Sequence, residues 1–387
     1  MNIILLVMKI LYYFTFGYSL KSWEETGTLQ KELRFFQTMI DKHNIEFLFV
    51  TYGNEEDEKI LREYKNIQVI PIYKYINFSN SKLITYIKSA YFPFKLRKII
   101  KDVDIIKQNQ LQGCWSSFIL KLIISKPLYL RTGYDVLTFS IMENKSKWKI
   151  LLYSLLTRIM LKFSDIYSVT SNVDKSFLEN KFGKNQKITL RPNWITKNDH
   201  KEVNRQSKFL SVGRLEKQKN YDFLIDNLSD KNFEFHIYGS GQEKEYLERK
   251  AFEKSSNIIF HGKIENDILM DKYDHYKYYI SPSFYEGNPK SILEAMSRGC
   301  VVIASDIASH REIINHNENG FLFKFEDKDL KNKIKNLMNN DVLTKEISQN
   351  AIKTVYERND IENLVDATFK DYFLSLIHIS EPTRRRT

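Results

Sequence analysis

Seven residues separate Glu286 and Glu294 in the segment Ser283-Phe284-Tyr285-Glu286-Gly287-Asn288-Pro289-Lys290-Ser291-Ile292-Leu293-Glu294. Asn288 suits a helix N-cap, Pro289 the first helical position and Gly299 the residue beyond the end. The spacing predicts a helix over Pro289–Arg298. Glu286 then lies on the loop before it, and Glu294 lies about one and a half turns inside. Unpaired backbone N–H groups at a helix start bind anions, and carboxylates accept from hydroxyl groups. A diphosphate carrying two sugars, as in a nucleotide sugar, presents both kinds of group.

Val212-Gly213-Arg214-Leu215 follows an apolar run, and Lys219 comes five residues after Arg214. Gly213 permits a tight turn, after which Arg214 and Lys219 are expected to meet. A guanidinium fork beside a mobile ammonium suits a diphosphate. Tyr238-Gly239-Ser240-Gly241 also ends an apolar run. It lacks the third glycine of a dinucleotide fingerprint and reads as a tight turn that lets a nucleotide approach backbone. Beyond His261-Gly262, backbone around Lys263 and Ile264 is placed to meet a base. Asp135, in Arg131-Thr132-Gly133-Tyr134-Asp135, either projects toward substrate or closes an ordinary Asx turn. Thr26-Gly27, before a helical stretch, is a similar candidate on the loop after the first strand. Asp102-Val103-Asp104 has the D-x-D form of a metal–diphosphate site but sits at the entrance of a strand. No His/Cys/Asp cluster has metal spacing, and no Ser/His/Asp triad or P-loop stands out. No metal or cofactor is therefore expected.

These residues need a frame. Short apolar runs alternate with helical stretches along most of the 387 residues, the βαβ pattern of a parallel sheet. Seven strands are predicted between Ile10 and Leu190 and six between Phe209 and Phe323. Helices are predicted at Leu29–Lys42, Leu83–Lys101 and Lys145–Phe163, among others. The fold class is α/β, with two doubly wound Rossmann-like domains and the ligand in a cleft at the carboxyl ends of the strands. The expected division is 1–195, a linker over 196–207, a nucleotide-sugar domain over 208–360, a final helix over 361–374 and a tail over 375–387.

The net charge of +11 comes from Lys and Arg spread along the whole chain, so no nucleic-acid stripe is visible. AT-rich coding DNA gives the same bias. Cys114 and Cys300 lie far apart in apolar surroundings and read as buried free thiols of a reducing compartment. Lys9 interrupts the apolar start, which reads as a first strand and not a span. Met8 resembles a start, with residues 1–7 an upstream extension. Lys145–Phe163 and Leu83–Lys101 interleave large apolar residues with cations. Their apolar faces are either core or a contact for an anionic membrane surface.

The segment from Val212 to Leu215 with Lys219, the Tyr238–Gly241 turn, and the glutamate pair through Val301-Val302-Ile303-Ala304-Ser305-Asp306 together resemble glycosyltransferase family 4, retaining enzymes of the GT-B fold. The match is specific over Lys208–Phe323. It is looser before that, where Asp165–Asn172 and Arg191-Pro192-Asn193 also resemble the family. The resemblance implies that Glu294 binds ribose hydroxyls and Glu286 the donor-sugar hydroxyls. Amides of Gly287, Asn288 and Lys290 would line the sugar and diphosphate, while Pro289 has no N–H to offer. Arg214 and Lys219 would neutralise the departing diphosphate. On the acceptor side, Thr26-Gly27 stands where the family carries two glycines on its first loop, and Gly133-Tyr134-Asp135 stands where it often carries a histidine; the GT-B fold also implies that the helix over 361–374 returns to the first domain.

The implied reaction moves a sugar, with retention, from a nucleoside diphosphate sugar to a glycan or lipid-linked acceptor. The setting is cytoplasmic, at the inner face of the membrane, in bacterial surface polysaccharide synthesis. The protein would orient substrates and stabilise the leaving group, without metal. Two alternatives are a metal-dependent inverting transferase using Asp102 and Asp104, and a non-catalytic nucleotide-sugar or glycan binder. Residues 375–387 resemble a translated sequencing adapter and are expected to pack against nothing.

Overall fold

A computed structural model of the chain describes residues 7–197, 204–228 and 233–380, the last four without their side chains. It divides into two compact units, residues up to Arg191 together with Glu362 onward, and Pro192–Ile361. Among the described residues, the first holds seven parallel strands: β1 (Met8–Tyr13), β2 (Ile45–Thr51), β3 (Ile67–Pro71), β4 (Ile105–Asn109), β5 (Leu128–Thr132), β6 (Ile166–Val169) and β7 (Ile188–Leu190). The second holds β8 (Gln206–Val212), β9 (Phe235–Tyr238), β10 (Ile258–Gly262), β11 (Tyr276–Ser281), β12 (Val301–Ser305) and β13 (Phe321–Phe323). The orders are β3-β2-β1-β4-β5-β6-β7 and β10-β9-β8-β11-β12-β13.

Both sheets begin in the middle and wind outward in both directions. The strand order therefore reverses between β1 and β4 in one unit and between β8 and β11 in the other. Helices on both faces leave little for water to reach, so the strands are apolar along their length and not alternately. Ile10 through Tyr13 are all at most 4% exposed. In the second unit successive residues feed opposite cores. Phe209, Ile280, Val301 and Ile303 join one cluster, and Leu210, Tyr279, Val302 and Ala304 join the other.

Several expectations change here. Asp135 does not project outward. It caps the helix Val136–Met142, fully buried, and its Oδ1 accepts from Thr138 N at 2.7 Å and Thr138 Oγ1 at 2.9 Å. The Asx-turn alternative is the one realised, because a short Asp side chain satisfies the free N–H groups of a helix start. Thr26-Gly27 is not on the loop that follows β1. A helix, Leu20–Glu25, intervenes, and Thr26 caps its end with Oγ1 donating to Ser22 O at 2.7 Å. The loop leaving β1 is 14–19, where Gly17 has φ +81° and open space around a Cβ. Asp104 lies before β4 as read, but its Oδ2 accepts from Lys9 N at 2.9 Å and its own N–H donates to Lys9 O. Among the described residues, no three His, Cys, Asp or Glu side chains converge to hold a metal ion.

Of the expected linker, residues 198–203 lie outside the described residues, and Gln206 and Ser207 already belong to β8. The last helix runs from Ile361 to Ser380, past the expected end at Leu374, and Ser375 is buried with Oγ donating to Asp371 O at 2.8 Å. The expectation that 375 onward packs against nothing fails at Ser375. Residues 1–6 and 381–387 lie outside the described residues. The helix packs on the first unit through a stack of Phe369 on His43 and a bidentate Arg191–Asp371 pair. Both cysteines are buried free thiols, pushed up to about 12 by burial.

Candidate active site

The carboxyl ends of β8, β9 and β10 are drawn together by backbone. Gly213 N donates to Tyr238 O, Leu215 N to Ser240 O, and Gly239 N to Gly262 O, at 2.7–3.0 Å. This is why glycine stands at 239 and 241. A Cβ on Gly239 would collide with Gly213 O, and one on Gly241 with Leu215 O. A Cβ on Gly213 would lie 2.8 Å from Lys219 Cε. The glycine thus lets the lysine stem cross the turn.

Lys219 ends a single 3-10 turn, Lys217–Lys219, and crosses to the loop after β11. Its Nζ donates to Glu286 Oε1 at 2.6 Å, with the two side chains 15% and 10% exposed. Ser283 Oγ donates to the same oxygen at 2.7 Å. Gln218 Nε2 donates to Tyr285 O at 2.8 Å and approaches Glu286 Oε2 at 3.4 Å. Burial by itself would raise the Glu286 carboxyl. Lys219 and Ser283 more than offset it and hold the carboxyl below its ordinary value. β8 and β11 flank the point where strand order reverses, so this pair bridges the switch point of the sheet, the usual ligand position in an open α/β fold.

Arg214 is the correction. It does not meet Lys219, lies 67% exposed and pairs with Glu216 at 3.1 Å. An exposed arginine two residues from a glutamate takes the local partner, whereas the buried Glu286 selects the lysine that can reach it.

The helix starts one residue later than expected and spans Lys290–Ser297 with Pro289 as its cap. Asn288 is not the cap. Its Oδ1 accepts from Asn193 N at 2.8 Å, and its carbonyl accepts from Asn193 Nδ2 at 2.6 Å. Asn359 Nδ2 in turn donates to Asn193 O at 2.7 Å. The three asparagines pin the loop on which Glu286 and the buried Gly287 sit. Lys290 opens the helix, and Gly299 follows it at φ +77°. Glu294 is 6% exposed, with Tyr273 Oη donating to Oε2 at 3.3 Å and Asn266 Nδ2 near Oε1 at 3.5 Å. Ile264, on the loop after β10, is partly buried against the same core cluster.

His310, Ser283 and Gln218 went unread in the sequence. His310 sits on the turn after β12, fully buried, with Nδ1 donating to Ser305 O at 2.8 Å. Burial pushes it down to about 4, so it is neutral, and Nε2 is a buried acceptor with no hydrogen-bond partner among the described residues. A single histidine in Ser305–Glu312 carries no spacing that would mark it. Ser283, three residues before Glu286, is a visible side-chain pairing distance.

Residues 192–354 match the family model described as glycosyl transferases group 1. The O-antigen biosynthesis glycosyltransferase WbnH of Escherichia coli is 30% identical over 231 residues, 58% of this chain and 65% of that enzyme. Sucrose-phosphate synthase from Thermosynechococcus elongatus superposes with a TM-score of 0.80 at 14% identity, over 97% of this chain and 100% of that one. Anabaena HepE, solved with UDP and glucose, superposes with a TM-score of 0.73 at 18% identity, over 94% of this chain and 98% of that one. The chain is a glycosyltransferase. Its two doubly wound units are the GT-B fold. Among the described residues, no helix of this glycosyltransferase is long and apolar enough to cross a membrane.

Proposed function

We propose that this glycosyltransferase moves a sugar from a nucleoside diphosphate sugar, with retention and in the manner of family 4, to a glycan or lipid-linked acceptor of a bacterial surface polysaccharide. The observation that carries this reading is the largely buried Lys219–Glu286 pair across the switch point, with the buried Glu294 on the helix that follows the Glu286 loop. In this reading Glu294 accepts from the ribose hydroxyls and Glu286 from hydroxyls of the donor sugar. Amides at Gly287, Asn288 and Lys290 face the sugar and diphosphate. Gly213, Gly239 and Gly241 keep side chains off the loops that the nucleotide approaches, and backbone near Ile264 meets the base.

As the bond from the anomeric carbon to phosphate breaks, negative charge gathers on the diphosphate. Lys219 turns from Glu286 toward it, and Arg214 leaves its exposed partner to join. The acceptor oxygen bonds the anomeric carbon, and its proton leaves with the phosphate. The protein contributes position and positive charge. The work is cytoplasmic, at the inner face of the membrane. Asp135 and Thr26-Gly27 hold no role in this reading.

A thermal-shift screen against UDP-, GDP- and dTDP-sugars tests the donor, since a bound ligand stabilises the fold by mass action. One nucleotide should raise Tm in wild type and raise it less in Glu294→Gln. No shift with any donor would sink the assignment. Anomeric proton coupling in the product reads retention directly.

A further inference from the structure

Two helices of the first unit turn large apolar side chains outward as well as inward. In Lys82–Ile99 the inward residues include Thr85 and Ser89 beside Phe92 and Leu96. On the opposite line, one per turn, Leu83, Ile87 and Tyr91 are 69%, 63% and 58% exposed. In Lys147–Phe163 only Thr157, Met160 and Leu161 are buried. Trp148, Leu151, Leu152 and Leu155 are 81%, 58%, 53% and 53% exposed. A helix serving only its core would show the reverse pattern.

The two exposed stripes share one face. Phe92, Leu96, Leu120, Met160 and Leu161 join a single core cluster, so both helices and Cys114–Ile124 cover the same side of the sheet. Phe118 of the latter meets Phe163 with ring centroids 5.1 Å apart. These three helices carry ten Lys and Arg and no carboxylate. Apolar side chains at this density on a surface mark a binding face, and the charge selects what binds. Lys121 is held by Asp165, and a second copy would set the other nine cations against nine in an isologous contact. None of the three is apolar enough to span a bilayer. An anionic surface with an apolar interior accepts both halves of the pattern, with the rings and leucines below the headgroups and the cations among them.

We propose that this face docks the enzyme on an anionic lipid bilayer. It gives a surface to the membrane-sited transfer proposed above and rests on that reading only for the acceptor. Flotation of the full chain with phosphatidylglycerol–phosphatidylcholine vesicles, and with phosphatidylcholine alone, tests it. Wild type should float with the anionic vesicles at low salt and lose binding as salt screens the cations. Trp148→Glu with Leu152→Glu should cut the bound fraction about tenfold or more, because charge on the apolar face opposes insertion. Both positions are already exposed, so the melting curve should not move; Lys147→Glu with Lys149→Glu gives a second variant of opposite chemistry.

Wild type left in the dense fraction with anionic vesicles would overturn the proposal. So would flotation unchanged in both variants, or sedimentation showing a dimer that the apolar variant splits. A donor-induced thermal shift measured on the same samples separates the two readings. A variant that no longer floats but still shifts with donor supports docking; absence of the shift in wild type bears on donor assignment alone.

Discussion

The two sheets wind in the same order yet do different things at the point where that order reverses. Between β8 and β11 the loops bring charge together, Lys219 on Glu286 with Ser283 and Gln218 beside them. Between β1 and β4 the loop after β1 meets rings carried partly by helices. Phe16 stacks on Tyr86 at 4.3 Å and meets Tyr52 at 4.9 Å and Trp115 at 5.3 Å. Winding order decides where a sheet opens a crevice, and the few loop residues that follow the strands decide what the crevice can hold.

Charge in the first unit is treated differently too. Lys107, on β4, is 3% exposed and lies 5.2–5.6 Å from the ring centres of Tyr12, Phe35, Tyr129 and Tyr372. Burial first, then Arg131, push it down to about 7, against the smaller pull of Glu32 and Asp371. Glu286 is held charged by a partner, whereas Lys107 is surrounded by ring faces.

The comparison breaks most visibly at Lys219. Lys219→Ala leaves Glu286 with Ser283 and Gln218 only. Stability should fall by about 3 kcal/mol, the low end for a broken buried pair, and turnover should fall with it. Urea unfolding and initial rates measure both, and a wild-type midpoint would mean that the pair is not buried in solution. Glu294→Gln should weaken donor binding by about ten- to a hundredfold, the size of a charge-assisted hydrogen bond. Titration calorimetry reads it, and unchanged affinity would move the ribose elsewhere.

Lys107→Met sharpens the contrast with the opposite sign. The folded value of about 7 lies below the unfolded 10.5, so between those pH values the unfolded chain holds more protons. Wild-type stability should therefore rise from pH 7 toward 10.5, and the penalty is complete below 7. The methionine variant should lose that rise and gain roughly 1–2 kcal/mol at pH 7, with cation–π attraction limiting the gain. Thermal melts across pH decide it; a variant less stable than wild type at pH 7 would show that the rings outweigh burial. The smallest effect is expected at Leu151, 58% exposed. Leu151→Gln should change stability by no more than about 0.5 kcal/mol, and a larger loss would make that face part of the core.

All thirteen strands were legible, because a strand covered on both faces must be an uninterrupted apolar run, and such runs between helical stretches have few other readings. The glutamates were legible as well, since glycine, proline and a helix start constrain a loop locally. Asn288 misled because capping preference is a local tendency of about 1 kcal/mol, and two hydrogen bonds with Asn193, 95 positions away, outweigh it. Arg214 misled because five residues of spacing do not say which of two cations can reach a buried carboxylate. Asp135 was open between two readings until burial chose the cap.

The chain by itself determined the α/β class, both sheets and the position of the glutamate pair, since these follow from periodicity and local backbone chemistry. Only the tertiary structure decided that Lys219 holds Glu286, that His310 lies buried close enough to act on their charges, and that Leu83, Ile87, Tyr91, Trp148, Leu151, Leu152 and Leu155 face outward. The physical reason is the same for each. A side chain's partner and the face a helix buries are settled by contacts between residues far apart in sequence, and local spacing carries no record of them.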